Sequence, residues 1–94
     1  MQTNFRAERA LGYQQLTIDA TTSQALTVPA GTQLILISPE TQAIRVRDDG
    51  TNPTATIGYP VPTGAEMRYS GGNMAALKII GQVASAVVNV LYYG

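Results

Sequence analysis

Hydrophobic and polar residues alternate with a period of two along most of this chain, the spacing that puts every second side chain on one face of a β-strand. Over 14–20, Leu16 and Ile18 alternate with Gln15, Thr17 and Asp19, which predicts a strand with one covered face. Residues 24–28 are a shorter stretch with Leu26 and Val28 on one side. QLILIS at 33–38 is the most continuous apolar run of the first half and predicts a central strand covered on both sides, stopped by Pro39, which lacks a ladder donor. Over 43–48, Ile44 and Val46 read inward and Arg45 and Arg47 outward. In 54–61, Ile57, Tyr59 and Val61 share a face, with Gly58 marking a bend between sheets. Residues 66–69 place Met67 and Tyr69 inward, 76–80 form another strand, and 85–93 carry the strongest strand propensity. There Val88, Val90 and Tyr92 occupy one face, and Val87, Asn89, Leu91 and Tyr93 the other. Both are apolar enough to be covered, so this strand is expected to be central or pressed against a partner.

The pattern repeats without a gap after 33 positions. The shift brings Val28-Pro29 and Gly31 onto Val61-Pro62 and Gly64, and Leu34 and Leu36 onto Met67 and Tyr69. It also brings Ala43-Ile44-Arg45-Val46 onto Ala76-Leu77-Lys78-Ile79. Each copy reads as strand, Pro-x-Gly turn, strand, polar turn and strand, a unit too small to bury its own apolar face. Two copies facing each other would bury both. The fold expected is all-β: a two-sheet β-sandwich or jelly roll of about eight short antiparallel strands.

Residues 1–13 differ from the rest and form an expected N-terminal arm, with the β-sandwich domain over 14–94. Phe5, Ala7, Ala10 and Leu11 could line a short helix ended by Gly12, and any helix is expected only in these first residues. The arm is compatible with a frayed terminus, or with a segment ordered on a neighbouring subunit through Phe5 and Leu11.

Composition narrows what such a domain does. Charged residues make up 13% of the 94, against ~25% in ordinary soluble domains, and six basic residues cancel six acidic ones. Neither a phosphate-binding field nor a strongly acidic surface is present, so no nucleic-acid partner is expected. A chain of this size buries about two thirds of its unfolded surface, which leaves a lone monomer marginal and favours cover by other subunits. With no cysteine there are no disulfides or thiolate nucleophiles, and with no histidine the usual general base and commonest metal ligand are missing. No apolar run approaches the ~20 residues of a membrane span, so no membrane partner is expected and synthesis is read as cytoplasmic.

Few residues remain as candidates for chemistry. Asp48 and Asp49, near Glu40 and Asn52, lack the alternation of a calcium loop, and adjacent strand residues point to opposite faces, so they do not pair as glycosidase acids. The serines have no histidine to activate them, and Gly71-Gly72 is not followed by a helix start. No enzyme, cofactor or metal site is expected. Arg45, Arg47 and Lys78 fall on outward faces of related strands and read either as a solvated face or as a contact patch for another protein's carboxylates. Tyr59, Tyr69, Tyr92 and Tyr93 read as core or interface packing, with a sugar-stacking platform as the alternative. The interface candidates are therefore Phe5, Leu11, Arg45, Arg47, Lys78, Leu91 and Tyr93.

The segment AIRVRDDGTNPTATIGYPVPTGAEMRYSGGNMAALKIIGQVASAVVNVLYY resembles a family of small proteins from tailed bacteriophages. The resemblance spans 26–93. It is most specific at Arg45-x-Arg47-Asp48-Asp49-Gly50-Thr51-x-Pro53, followed by a Gly-led strand, a Pro-x-Gly turn and a final strand closing on Tyr92-Tyr93. It implies a minor structural or head-decorating role in a virion; with the low charge and marginal monomer, the expectation is a protein that associates with itself, as dimer or trimer, and with capsid or other virion proteins. The alternative is a carbohydrate- or receptor-binding sandwich module.

Overall fold

Strands with one apolar face are stable only when that face meets another, and the chain meets this demand with two stacked sheets. The computed structural model describes residues 9–94. Its strands are β1 (Ala10–Ile18), β2 (Gln24–Ala25), β3 (Leu34–Pro39), β4 (Ile44–Arg47), β5 (Tyr59–Val61), β6 (Met67–Tyr69), β7 (Lys78–Gly81) and β8 (Ala86–Tyr93). They form two four-stranded antiparallel sheets, β1-β8-β3-β6 and β2-β7-β4-β5. Ile18, Ile35, Ile37, Val88 and Val90 from the first sheet pack against Ile44, Val46, Val61 and Ile79 from the second, all buried in one cluster. Each such side chain contributes about 1.5–3 kcal/mol through removal from water. The fold is an all-β sandwich, as the alternation predicts.

The repeat is visible in three dimensions, but the copies do not face each other as two layers. Consecutive strands of each copy cross from one sheet to the other: β2 and β4 lie in the second sheet with β3 in the first, and β5 and β7 lie in the second with β6 in the first. Equivalent strands then pair side by side, β3 with β6 and β4 with β7. Val46 stands directly opposite its repeat equivalent Ile79, so a local twofold axis passes through that pair. Both sheets need strands from both copies, and neither copy can be completed alone.

The Pro-x-Gly turns are also equivalent. Thr32 N–H donates to the Pro29 carbonyl at 3.3 Å and Ala65 N–H to the Pro62 carbonyl at 3.0 Å. Gly31 and Gly64 sit at φ 86° and 83°, the left-handed position that the third residue of such a turn requires. The symmetry slips at one place. Gln24 faces Ile79, whereas Val46 faces Tyr59, two residues beyond the repeat equivalent of Gln24.

Several expectations are corrected. Residues 10–13, placed in the arm, belong to β1: the ladder with β8 begins at Ala10–Tyr93, and Arg9 and Gly94 exchange backbone hydrogen bonds at 3.0 and 2.9 Å. Pairing with β8 satisfies backbone groups that a one-turn helix would leave half-satisfied. A register shift between Ala10 and Gly12 accommodates the extra residue. Among the described residues the helical turn is a 3₁₀ turn at Met74–Ala76, where the chain crosses from β6 to β7. Residues 33–38 are central as expected, yet only Ile35 and Ile37 are buried, while Leu34 and Leu36 on the other face are half-covered. Ile57 and Tyr59 are 57% and 64% exposed, and only Val61 of that trio reaches the core.

Because nothing crowds a Cβ at Gly31 or Gly64, Gly31→Ala and Gly64→Ala are each expected to lower stability by the same ~1–2 kcal/mol. Chemical denaturation of both variants measures this, and unequal losses would show that the turns are not equivalent.

Candidate interaction surfaces

The outer face of the second sheet is covered by its own chain. β4 turns Arg45 and Arg47 outward and β7 turns Lys78 and Ile80 outward, yet Ile80 is 2% exposed. The segment 48–58 is bonded onto this face beside it, through Arg45, which stands opposite Ile80. Arg45 Nε donates to the Ala55 carbonyl at 3.1 Å and its Nη1 to the Gly58 carbonyl at 2.9 Å. Pro53, within the segment, is buried, and a Cβ added at Gly58 would stand 3.0 Å from Arg45 Cβ and 3.2 Å from Pro53 Cβ. Only a residue without a side chain passes there.

Arg47 grips the start of the same segment, donating from Nε and Nη2 to the two oxygens of Asp49 at 3.0 and 2.5 Å. Lys78 Nζ donates to Asn52 Oδ1 at 3.2 Å. Arg47 and Lys78 are thus engaged by the Asp-Asp-Gly-Thr-Asn-Pro loop of their own chain, and Arg45 by the carbonyls of Ala55 and Gly58 that follow it. The segment needs partners for its carbonyls and its Asp49 carboxylate, and the nearest cations supply them. The Arg47 guanidinium, with the Thr51 N–H, holds the Asp49 carboxyl down to about 2.

At the opposite rim, β5 and β6 leave the sandwich open. The cleft between them, about 630 Å³, has Val46, Val61, Met67 and Leu77 at its base and Tyr59 and Tyr69 on its walls. Tyr69 donates its phenolic proton to Asp48 Oδ2 at 2.6 Å, and burial first, then this bond, raises its pKa.

The outer face of the first sheet is different. A row crosses all four strands: Tyr13 opposite Leu91, Leu91 opposite Leu36, and Leu36 opposite Arg68 at the rim. Beside it, Tyr93 faces Leu34. Tyr13 is 59% and Leu91 37% exposed. The next row is polar and bonded to itself: Asn89 Oδ1 accepts from Tyr13 Oη at 2.5 Å and Gln15 Nε2 at 3.0 Å, and Asn89 Nδ2 donates to Glu40 at 2.9 Å. Charges on this face stand at its margins, where Arg68 lies 3.8 Å from Glu66.

Leu91 and Tyr93 therefore lie together on one surface, as interface candidates should. Leu11 does not join them, because it packs against the core near Gly94. Phe5 lies outside the described residues. Tyr13, Leu34 and Leu36 join Leu91 and Tyr93, and for the two leucines the second apolar face of the continuous QLILIS run is the sequence signal. The tyrosines do not form one platform: Tyr92 is core, with its hydroxyl donated to Gln14 Oε1 at 2.6 Å, Tyr13 and Tyr93 lie on the outer face, and Tyr59 and Tyr69 on the cleft. The acids are dispersed too. Asp19 accepts from the Thr21 and Thr22 amides, and no group of three metal-binding side chains occurs among the described residues. Compared with protein-family models, with curated proteins and with solved structures, the chain matches none.

Two outcomes follow for the loop. Arg45→Ala removes both carbonyl contacts and is expected to cost about 2 kcal/mol in denaturation and to speed hydrogen exchange across 50–58, while β8 amides stay protected. Since the Asp49 carboxyl is depressed, its contribution is present above the ordinary carboxylate range near ~4 and is lost as pH falls through about 2. An NMR titration following the Asp49 carboxyl and the Thr51 amide is expected to show that midpoint, and Arg47→Gln to move it upward.

Proposed function

We propose that this chain is a non-enzymatic structural protein of a tailed-phage particle, made in the host cytoplasm, which self-associates and packs against neighbouring virion subunits. The observation that carries the reading is the apolar row Tyr13–Leu91–Leu36 on the outer face of the first sheet, with charges only at the margins. In an antiparallel sandwich the outer face is ordinarily the polar one. Here the second sheet has the 48–58 segment bonded onto the centre of its outer face, with Ala25 and Pro60 exposed beside it, and the first carries leucines and tyrosines instead. The low charge of the whole chain and the phage-like Arg-x-Arg-Asp-Asp-Gly-Thr-x-Pro segment support the same reading.

The mechanism is cover. A neighbouring subunit laid on the row removes apolar surface from water at about 25 cal/mol per Å², and the margin charges then sit at the rim of the contact, where they stay solvated. A cement protein of this kind strengthens a particle by adding interface.

Leu91→Asp places a charge in the middle of the row without touching the core. The variant is expected to fold with the wild-type circular-dichroism spectrum, to be lost from purified particles, and to leave those particles disrupting at a lower temperature. Incorporation at wild-type levels with unchanged particle heat resistance would remove this face from the reading.

A further inference from the structure

Of the four sheet edges, three are blunted. β2 is two residues long. β5 carries Pro60 within it and Pro62 just after it, so its margin lacks donors at both places. β6 is three residues long and bears Arg68 next to Glu66. Short edges, prolines and charges are the means by which β proteins prevent edge-to-edge pairing. The fourth edge, β1, has none of them: it runs for nine residues, ALGYQQLTI, without proline or charge.

Hydrogen bonds at the far end of β1 show which of its backbone groups point outward. The Thr17 carbonyl accepts from the Gln24 side chain at 3.3 Å, so Thr17 turns its backbone away from β8. The facing strand agrees: opposite Thr17, Val87 bonds toward β3, its N–H donating to Thr41 Oγ1 at 3.0 Å and its carbonyl accepting from Glu40 N–H at 2.7 Å. With Thr17 fixed, alternation sends the N–H and C=O of Gln15 and Tyr13 outward as well. Among the described residues these groups have no backbone partner. The nearby segment reaches the edge only through the Gln24 side chain at Thr17, and no strand of it pairs there: Thr27 engages the Gln14 side chain, with its N–H donating to Oε1 at 3.3 Å and its Oγ1 accepting from Nε2 at 3.5 Å, on the inner side of β1.

We infer that the β1 edge is a dimerisation site whose occupant is the β1 edge of a second copy of this chain, antiparallel about a twofold axis at Gln15. An outward edge run antiparallel to its own copy is complementary to itself, which is the condition for a closed twofold contact. Gln15 then pairs with the same residue of the second copy, and Tyr13 pairs with Thr17 in both directions. These pairs supply about six backbone hydrogen bonds. The exposed Tyr13 is brought under cover, and the two first sheets become one continuous sheet with both apolar rows on the same outer surface. The inference refines the self-association part of the proposed function, and it rests on the backbone edge of β1 rather than on the Leu91 side chain, with Tyr13 common to both.

The chain has no cysteine, so one introduced thiol reports unambiguously. Paired positions of this kind have Cα atoms about 5.5 Å apart, within disulfide reach. Gln15→Cys is expected to oxidise with copper phenanthroline to a covalent dimer, while Glu66→Cys, on the opposite side of the sandwich, stays monomeric. By native mass spectrometry the wild type is expected at twice the 10.0 kDa chain mass. Gln15→Pro, which deletes an outward donor and leaves the β8 ladder intact, is expected at the monomer mass where the wild type is fully dimeric. Gln15→Lys, which sets two like charges on the axis, provides a gentler variant and is expected to weaken the dimer about fivefold. A monomeric wild type, a dimer unaffected by both Gln15→Pro and Gln15→Lys, or a Gln15→Cys protein that fails to cross-link would each overturn the inference. Leu91→Asp separates the two proposals: if it dimerises normally but is lost from particles, both stand, and if it is lost from particles while the wild type is monomeric, the edge assignment alone falls.

Discussion

The pairing of β4 with β7 about the Val46–Ile79 pair is the contact on which the rest of the sandwich depends. It joins the two copies of the repeat at the centre of one sheet, while β3 and β6 join them in the other. Since each copy divides its strands between both sheets, burial of its apolar positions is conditional on the other copy. A three-strand block of this length has too little apolar surface to offset its own chain entropy, and interleaving two blocks is the way both become stable. β1 and β8, which lie outside the repeat, then extend the first sheet and bring Ile18, Val88 and Val90 to the same core.

Conditional burial of this kind leaves the outer faces to be managed separately. On the second sheet the chain does so itself. The segment that precedes β5, whose pairing slips by two residues against the repeat, is held by Arg45 through two carbonyls and fastened at its start by Arg47 and Asp49. Guanidinium groups suit this work because their fixed fork of donors can meet two acceptors at once. The loop owes its order to these bonds rather than to a strand ladder.

On the first sheet no segment among the described residues performs that service, and the outer surface carries leucine and tyrosine where a solvated sheet would carry threonine, lysine and glutamate. Edge protection is uneven in the same way: β2, β5 and β6 are short, proline-bearing or charged, and β1 is none of these. An apolar face adjoining an open edge is a poor arrangement for an isolated molecule and a suitable one for a subunit.

The sequence by itself determined the strands and most of the inward positions. Ile44 and Val46, Val88, Val90 and Tyr92, and the paired Pro-x-Gly turns were all legible, because a strand's two faces follow from alternation and a turn's shape from proline and glycine. It also determined that Leu91 and Tyr93 share a face. Only the tertiary structure decided that the copies interleave rather than stack, since which sheet a strand joins depends on long-range pairing that no local pattern encodes. It likewise decided that residues 10–13 are strand, because their conformation comes from Tyr92 and Tyr93 at the far end of the chain. The fate of Arg45, Arg47 and Lys78 was beyond the pattern for the same reason: outward placement is a property of the strand, whereas the partner of an outward charge is set by whichever loop the fold brings over it.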